Sequence, residues 1–149
     1  MRTQDDGAAA LTLEQTQHVL KMIAESETPP QVDKAFKLES LPSLLNRYMG
    51  EKGLMTDVLF ERIGASRSFG YRVMNGQRRP ERDMSLCLAL ELELPYEEAQ
   101  NMLKVVRHAP LTPRDSRDLL ILHCIMHRKS LGEANDLLEE SGLSPLTGK

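Results

Sequence analysis

An all-α fold is predicted for this 149-residue chain by its composition, its apolar periodicity and the punctuation between its apolar stripes. Leu, Glu, Met and Ala abound, while aromatic residues make up only 4%; straight-chain residues and alanine lose the least freedom in a helix. Apolar positions recur at helical rather than alternating spacing, and Ser, Thr, Gly or Pro stands where most stripes begin or end. With 40% hydrophobic and 28% charged residues the chain is globular in composition and long enough to bury a core. Its apolar runs fall well short of the ~20 residues that cross a bilayer, and residues 1–10 are polar and small, unlike a signal peptide. The expectation is a cytoplasmic protein whose two cysteines, Cys87 and Cys124, build no disulfide framework.

The first helix opens at Thr12, with Gln15 completing a capping box. Val19, Leu20 and Ile23 give it a modest stripe to about Ser26, and Pro29-Pro30 ends it. Residues 31–39 are polar apart from Val32, Phe36 and Leu38, so 1–39 reads as an N-terminal arm carrying one helix. Ser40 caps a second helix whose Leu41, Leu44, Leu45, Tyr48 and Met49 share one face, closed by Gly50 and Gly53. Residues 56–63 form a short helix with Val58, Leu59 and Ile63 inward. Gly64 supplies a sharp turn, and Ser66 caps another short helix that Asn75-Gly76 stops. After a basic loop at 77–80, residues 82–92 are apolar on most sides (Met84, Leu86, Cys87, Leu88, Ala89, Leu90), as in a buried central helix.

The C-terminal third repeats that last design at an offset of 35. Arg82-Asp83 falls on Arg117-Asp118, Glu98-Ala99 on Glu133-Ala134, Leu103 on Leu138, and Pro110-Leu111-Thr112 on Pro145-Leu146-Thr147. Met84, Leu86, Leu90 and Met102 meet Leu119, Ile121, Ile125 and Leu137, so apolar register is kept. Thr112-Pro113 with Asp115 opens one helix of the second unit and Ser130 with Glu133 the other. Two stacked helical hairpins are predicted, giving a domain at 40–106 with a hairpin at 107–149 packed on it.

A net charge of −3 argues by itself against nucleic acid. The distribution argues otherwise: residues 62–82 hold Arg62, Arg67, Arg72, Arg78, Arg79 and Arg82 against Glu81 alone, a net +5, while each flank carries −4. A basic block in an acidic chain is expected where one face meets a polyanion, and arginine suits planar contacts to phosphate and guanine.

Residues 54–80 also have the layout of a helix–turn–helix, in which a recognition helix is braced across a tight turn. Here the chain resembles the Cro and lambda-repressor-like family of DNA-binding domains, the Xre family. The resemblance is carried by Leu59, Ile63-Gly64-Ala65-Ser66-Arg67-Ser68, Arg72-Val73, Asn75-Gly76-Gln77-Arg78-Arg79-Pro80 and the apolar stretch from Leu86 to Leu92, and covers about 41–103. It implies a five-helix lambda-repressor-like domain, here extended by the repeated hairpin, that binds double-stranded DNA as a transcriptional regulator. The chain departs from the family at Thr56, where Gln is usual, at Phe60, usually small, and at Gly70, usually a branched aliphatic. A bulky Phe60 filling the space above Gly70 would account for the last two together.

The resemblance places Arg67, Ser68, Tyr71 and Arg72 at the head of the recognition helix, where they can meet base edges. Thr56 and Ser66 lie near helix N-termini that favour phosphate, Arg78 and Arg79 follow the helix and would grip the backbone, and Phe69 and Val73 read as core. The alternative is a protein-interaction adaptor or antitoxin-like module using the same fold. Family members commonly dimerise on two-fold operators, so a homodimer is expected. Its surfaces would be the hairpin at 130–146, favoured for Leu131, Leu137, Leu138 and Leu143, or the helix at 12–26; the hairpin could also take a protein partner. His123 and His127 have a spacing zinc can use, but without further ligands in view no metal or other cofactor is assigned. The sequence carries no nucleophile triad, phosphate loop or reasoned carboxylate pair, and no enzyme is expected.

Overall fold

The computed structural model describes residues 13–28 and 39–147, and among these every regular element is an α-helix. The chain divides between Glu39 and Ser40 into two compact units. In the first lies α1 (Leu13–Glu25), which buries none of its residues. The predicted cap Thr12 and the stretch from Pro29 to Leu38 fall outside the described residues. No described helix is long and apolar enough to cross a membrane.

The second unit holds α2 (Leu41–Lys52), α3 (Thr56–Arg62), α4 (Arg67–Met74), α5 (Arg82–Glu91), α6 (Tyr96–Val105), α7 (Ser116–Met126) and α8 (Leu131–Glu140). Its caps follow from local chemistry. The Ser40 hydroxyl accepts from Ser43 N, and Gly53, at φ 67°, closes α2 in the left-handed region. Ser66 accepts from Phe69 N, and Ser130 with Glu133 forms a complete capping box. That Ser130 N–H is also what holds the exposed Glu133 carboxyl below its usual range. One expected start is displaced: Thr112-Pro113 forms a turn, and α7 is capped by Asp115, whose side chain accepts from Asp118 N.

Six consecutive residues of α5, Ser85 to Leu90, are buried, so this helix has core on every side. Cys87 is among them, and burial, ahead of the neighbouring Asp83 charge, pushes its thiol up to about 12; Cys124 is raised by burial as well. Both are free and act as small apolar core residues.

The 35-residue offset recurs in the backbone. Glu93 and Arg128 both adopt positive φ (54° and 55°) just past α5 and α7, and Arg107 and Gly142 (64° and 77°) do so just past α6 and α8. Leu94 N donates to Ala89 O as Lys129 N does to Cys124 O, and His108 N to Leu103 O as Leu143 N does to Leu138 O. The two hairpins therefore end each helix in the same way.

Their interface is reciprocal. Arg82 donates Nη1 and Nη2 to the Asp118 carboxylate (3.1 and 2.9 Å), Nε to Ala109 O and Nη2 to Pro110 O. Arg117 repeats this from the other side, with Nη1 and Nη2 on Asp83 (2.9 and 3.0 Å), Nε on Ser144 O and Nη2 on Pro145 O. Below each pair, Gln100 Oε1 accepts from Leu111 N and Asn135 Oδ1 from Leu146 N. An arrangement in which each half gives the other what it receives is that of an isologous contact, here closed within one chain.

Equivalent register does not give Leu119 and Ile121 equal burial. Leu119 is 49% exposed and does not cover α5; the cover comes from Ile121 and Ile125, with Leu137 partly buried. Leu131 and Leu138 are 7% and 1% exposed, and Leu137 and Leu143 pack against the core. Leu131 and Leu138 are thus spent inside the protomer, and Leu137 and Leu143 keep only part of their surface outside it. Leu138→Glu would place a carboxylate in the core and test folding rather than assembly.

Candidate nucleic-acid interface

The candidate interface lies on α3 and α4. Gly64, at φ 82°, permits the sharp turn between them, and Ala65 N donates back to Phe60 O. Gly70 sits directly over Phe60: a Cβ there would lie 2.7 Å from Phe60 Cγ, and Phe60 is fully buried. The expected exchange of bulk between these positions is what the structure has. Gly70→Ala gains ~1 kcal/mol in helix propensity but forces a sealed ring to move, at about 1–3 kcal/mol. A net loss of about 1 kcal/mol is expected in urea denaturation, and a more stable variant would show that the ring can yield.

With Gly70 and Val73 buried and Phe69 edge-on to Phe60 (centroids 6.1 Å apart), α4 turns Arg67, Ser68, Tyr71 and Arg72 outward. These four share one exposed face, continued by Asn75 and Gln77. Thr56 is the first residue of α3 and is half-buried, while the exposed Ser66 uses its hydroxyl as the α4 cap.

The arginine block is not one surface. Arg82 is committed to the hairpin interface, and Arg62 donates to Glu91 Oε2 at 3.2 Å. Arg79 is exposed but gives Nη1 to Val106 O (3.0 Å), and His108 Nε2 lies 2.9 Å from Pro80 O, so the basic loop is tied to the exit of α6. Arg79 is therefore an anchor as well as a surface cation. Arg78 stacks over the Phe69 ring at 5.1 Å, which fixes its head beside the end of α4. Arg67 reaches Asp57 at 3.6 Å while staying 72% exposed. Asp57 is a neighbour that spacing alone does not reveal, because it sits across the turn; an acid in the first turn of α3 facing the first turn of α4 is the only signal. No family model, curated protein or solved structure matches the chain.

Proposed function

We propose that the protein binds double-stranded DNA sequence-specifically, as a transcriptional regulator rather than an enzyme, with α4 laid in the major groove. The observation that carries this reading is the outward face of α4, where Arg67, Ser68, Tyr71 and Arg72 stand together on a helix braced by α3. In this reading α2 to α6 form a lambda-repressor-like five-helix domain. Arg72 and Arg67 read guanine edges, Tyr71 and Ser68 add apolar and polar contacts, and Arg78 holds phosphate.

One recognition helix buries only about 600–1,000 Å² on DNA, so the reading extends to a homodimer. With Leu131 and Leu138 committed to the core, α1 is the stronger of the two expected surfaces, since Leu13, Leu20, Met22 and Ile23 are exposed on it.

Binding of the full-length protein to random duplexes should weaken linearly in log salt, with a slope of about −0.9 per phosphate neutralised. Arg78→Ala should reduce that slope by about one for every duplex alike. Arg72→Ala should instead flatten base preference in a selected pool, costing ~1–3 kcal/mol at the preferred site. Salt-insensitive retention, or no effect of either change, would remove the DNA reading and favour an acidic protein partner for the same face.

A further inference from the structure

The far end of α7 carries side chains that DNA recognition leaves unused. His123, Met126 and His127 stand at i, i+3 and i+4, the spacing that puts three side chains on one face of a helix. All three are exposed, Met126 by 59%. The two imidazoles lie 4.4 Å apart between centroids and are tilted by 36°. Among the described residues neither ring has a hydrogen-bond or ion-pair partner. Two adjacent imidazoles, with the exposed Met126 on the same helix face by its spacing, thus lie at a helix C-terminus, where the backbone carbonyls favour a cation.

We propose that His123, Met126 and His127 form a binding site for a single copper(I) ion. The donor set is two neutral imidazole nitrogens and one neutral thioether sulfur. Thioether sulfur is soft and selects copper(I), whereas zinc takes thiolate, imidazole or carboxylate and normally closes a four-ligand tetrahedron. Here no thiolate or carboxylate joins: no group of three or more His, Cys, Asp and Glu able to hold a metal exists among the described residues, and the adjacent Cys124 is turned into the core, 1% exposed. Of the two cations that follow, Arg128 is drawn towards Glu93 (4.0 Å), and Lys129 begins the loop to α8. The His–X3–His spacing alone does not reach this conclusion; an exposed Met126 on the helix face that carries the paired rings does.

The test is an anaerobic titration of the full-length protein with copper(I) against the chromophoric chelator bicinchoninate. One equivalent should be withheld from the chelator. His123→Ala and His127→Ala should each weaken retention by roughly 100-fold, since losing a group that merely orients a ligand already costs about 10–100-fold. Met126→Leu should also weaken copper(I) retention, because it removes the soft sulfur donor. All three side chains are exposed, so helicity by circular dichroism should be kept. Failure to withhold copper(I), retention unaffected by the histidine changes or by Met126→Leu, or retention abolished by Cys124→Ala alone would each overturn the site.

Discussion

A chain ending at Thr112 is expected to lose its cooperative fold. It would keep the whole proposed DNA-binding face, but α7 and α8 would be gone, and both pack against α5. Ser85 to Leu90 are buried all round that helix, so removing one side leaves leucines facing water. Leaving a buried Leu or Ile side chain exposed costs about 1.5–3 kcal/mol, and the truncation removes Ile121, Leu122, Ile125, Leu131, Leu138 and Leu146 from the core they share with it. A few such losses match the 5–15 kcal/mol that holds a domain together. Arg82 would lose Asp118 and Asp83 would lose Arg117 as well. The measurement is a thermal melt followed by circular dichroism with light scattering: no sharp transition, or one at least about 10 °C lower with aggregation, is expected. A soluble monomer melting with full-length protein would show that the second hairpin is an independent appendage.

The helices of the second unit were legible because their signals are local. Ser40, Ser66 and Ser130 cap as their side-chain chemistry demands, and Gly53, Gly64 and Gly76 occur where the chain takes positive φ. The repeat was legible because identity at a fixed offset needs no geometry. The exchange of bulk between Phe60 and Gly70 was legible too, since a missing side chain and an oversized one a helix apart invite each other.

Partnership between distant side chains was not legible. Arg62, Arg79 and Arg82 look like Arg72 and Arg78 in a charge count. Their partners, Glu91, the Val106 carbonyl and Asp118, are chosen by the packing of α5, α6 and α7. The burial of the α8 leucines was missed for a related reason. The reciprocal arrangement sets α8 against α5 as well as α7, and nothing local in the sequence marks that second contact. The outward turn of Leu119 is the reverse case, an apolar residue in register with the half-buried Met84 but placed on the outer side of α7.

Reciprocity also yields an unequal pair of substitutions. Asp83 and Asp118 are equivalent positions of the two hairpins, each taking two Nη donors from the arginine of the other. Their surroundings differ. The Asp118 side chain is 6% exposed and accepts a third bond, from Thr112 N; that of Asp83 is 45% exposed, and among the described residues only Arg117 is paired with it. Asp118→Ala would leave the Arg82 guanidinium, 26% exposed, with only the carbonyls of Ala109 and Pro110, and would strip Thr112 N of its acceptor. Removing one partner of a buried pair costs about 3–5 kcal/mol, and the water that reaches Arg82 places this case near about 3 kcal/mol. Asp83→Ala removes an exposed carboxylate, for which ~0–1 kcal/mol is usual, but it also leaves Arg117, whose side chain is 21% exposed, with the carbonyls of Ser144 and Pro145, which raises the cost to about 2 kcal/mol. Urea denaturation of the two single variants should therefore separate them by about 1 kcal/mol, the worth of the Thr112 N bond that Asp118 alone accepts of the two, with unchanged m-values. Equal losses, or a larger loss at Asp83, would mean that the Thr112 N bond does not set these two ion pairs apart.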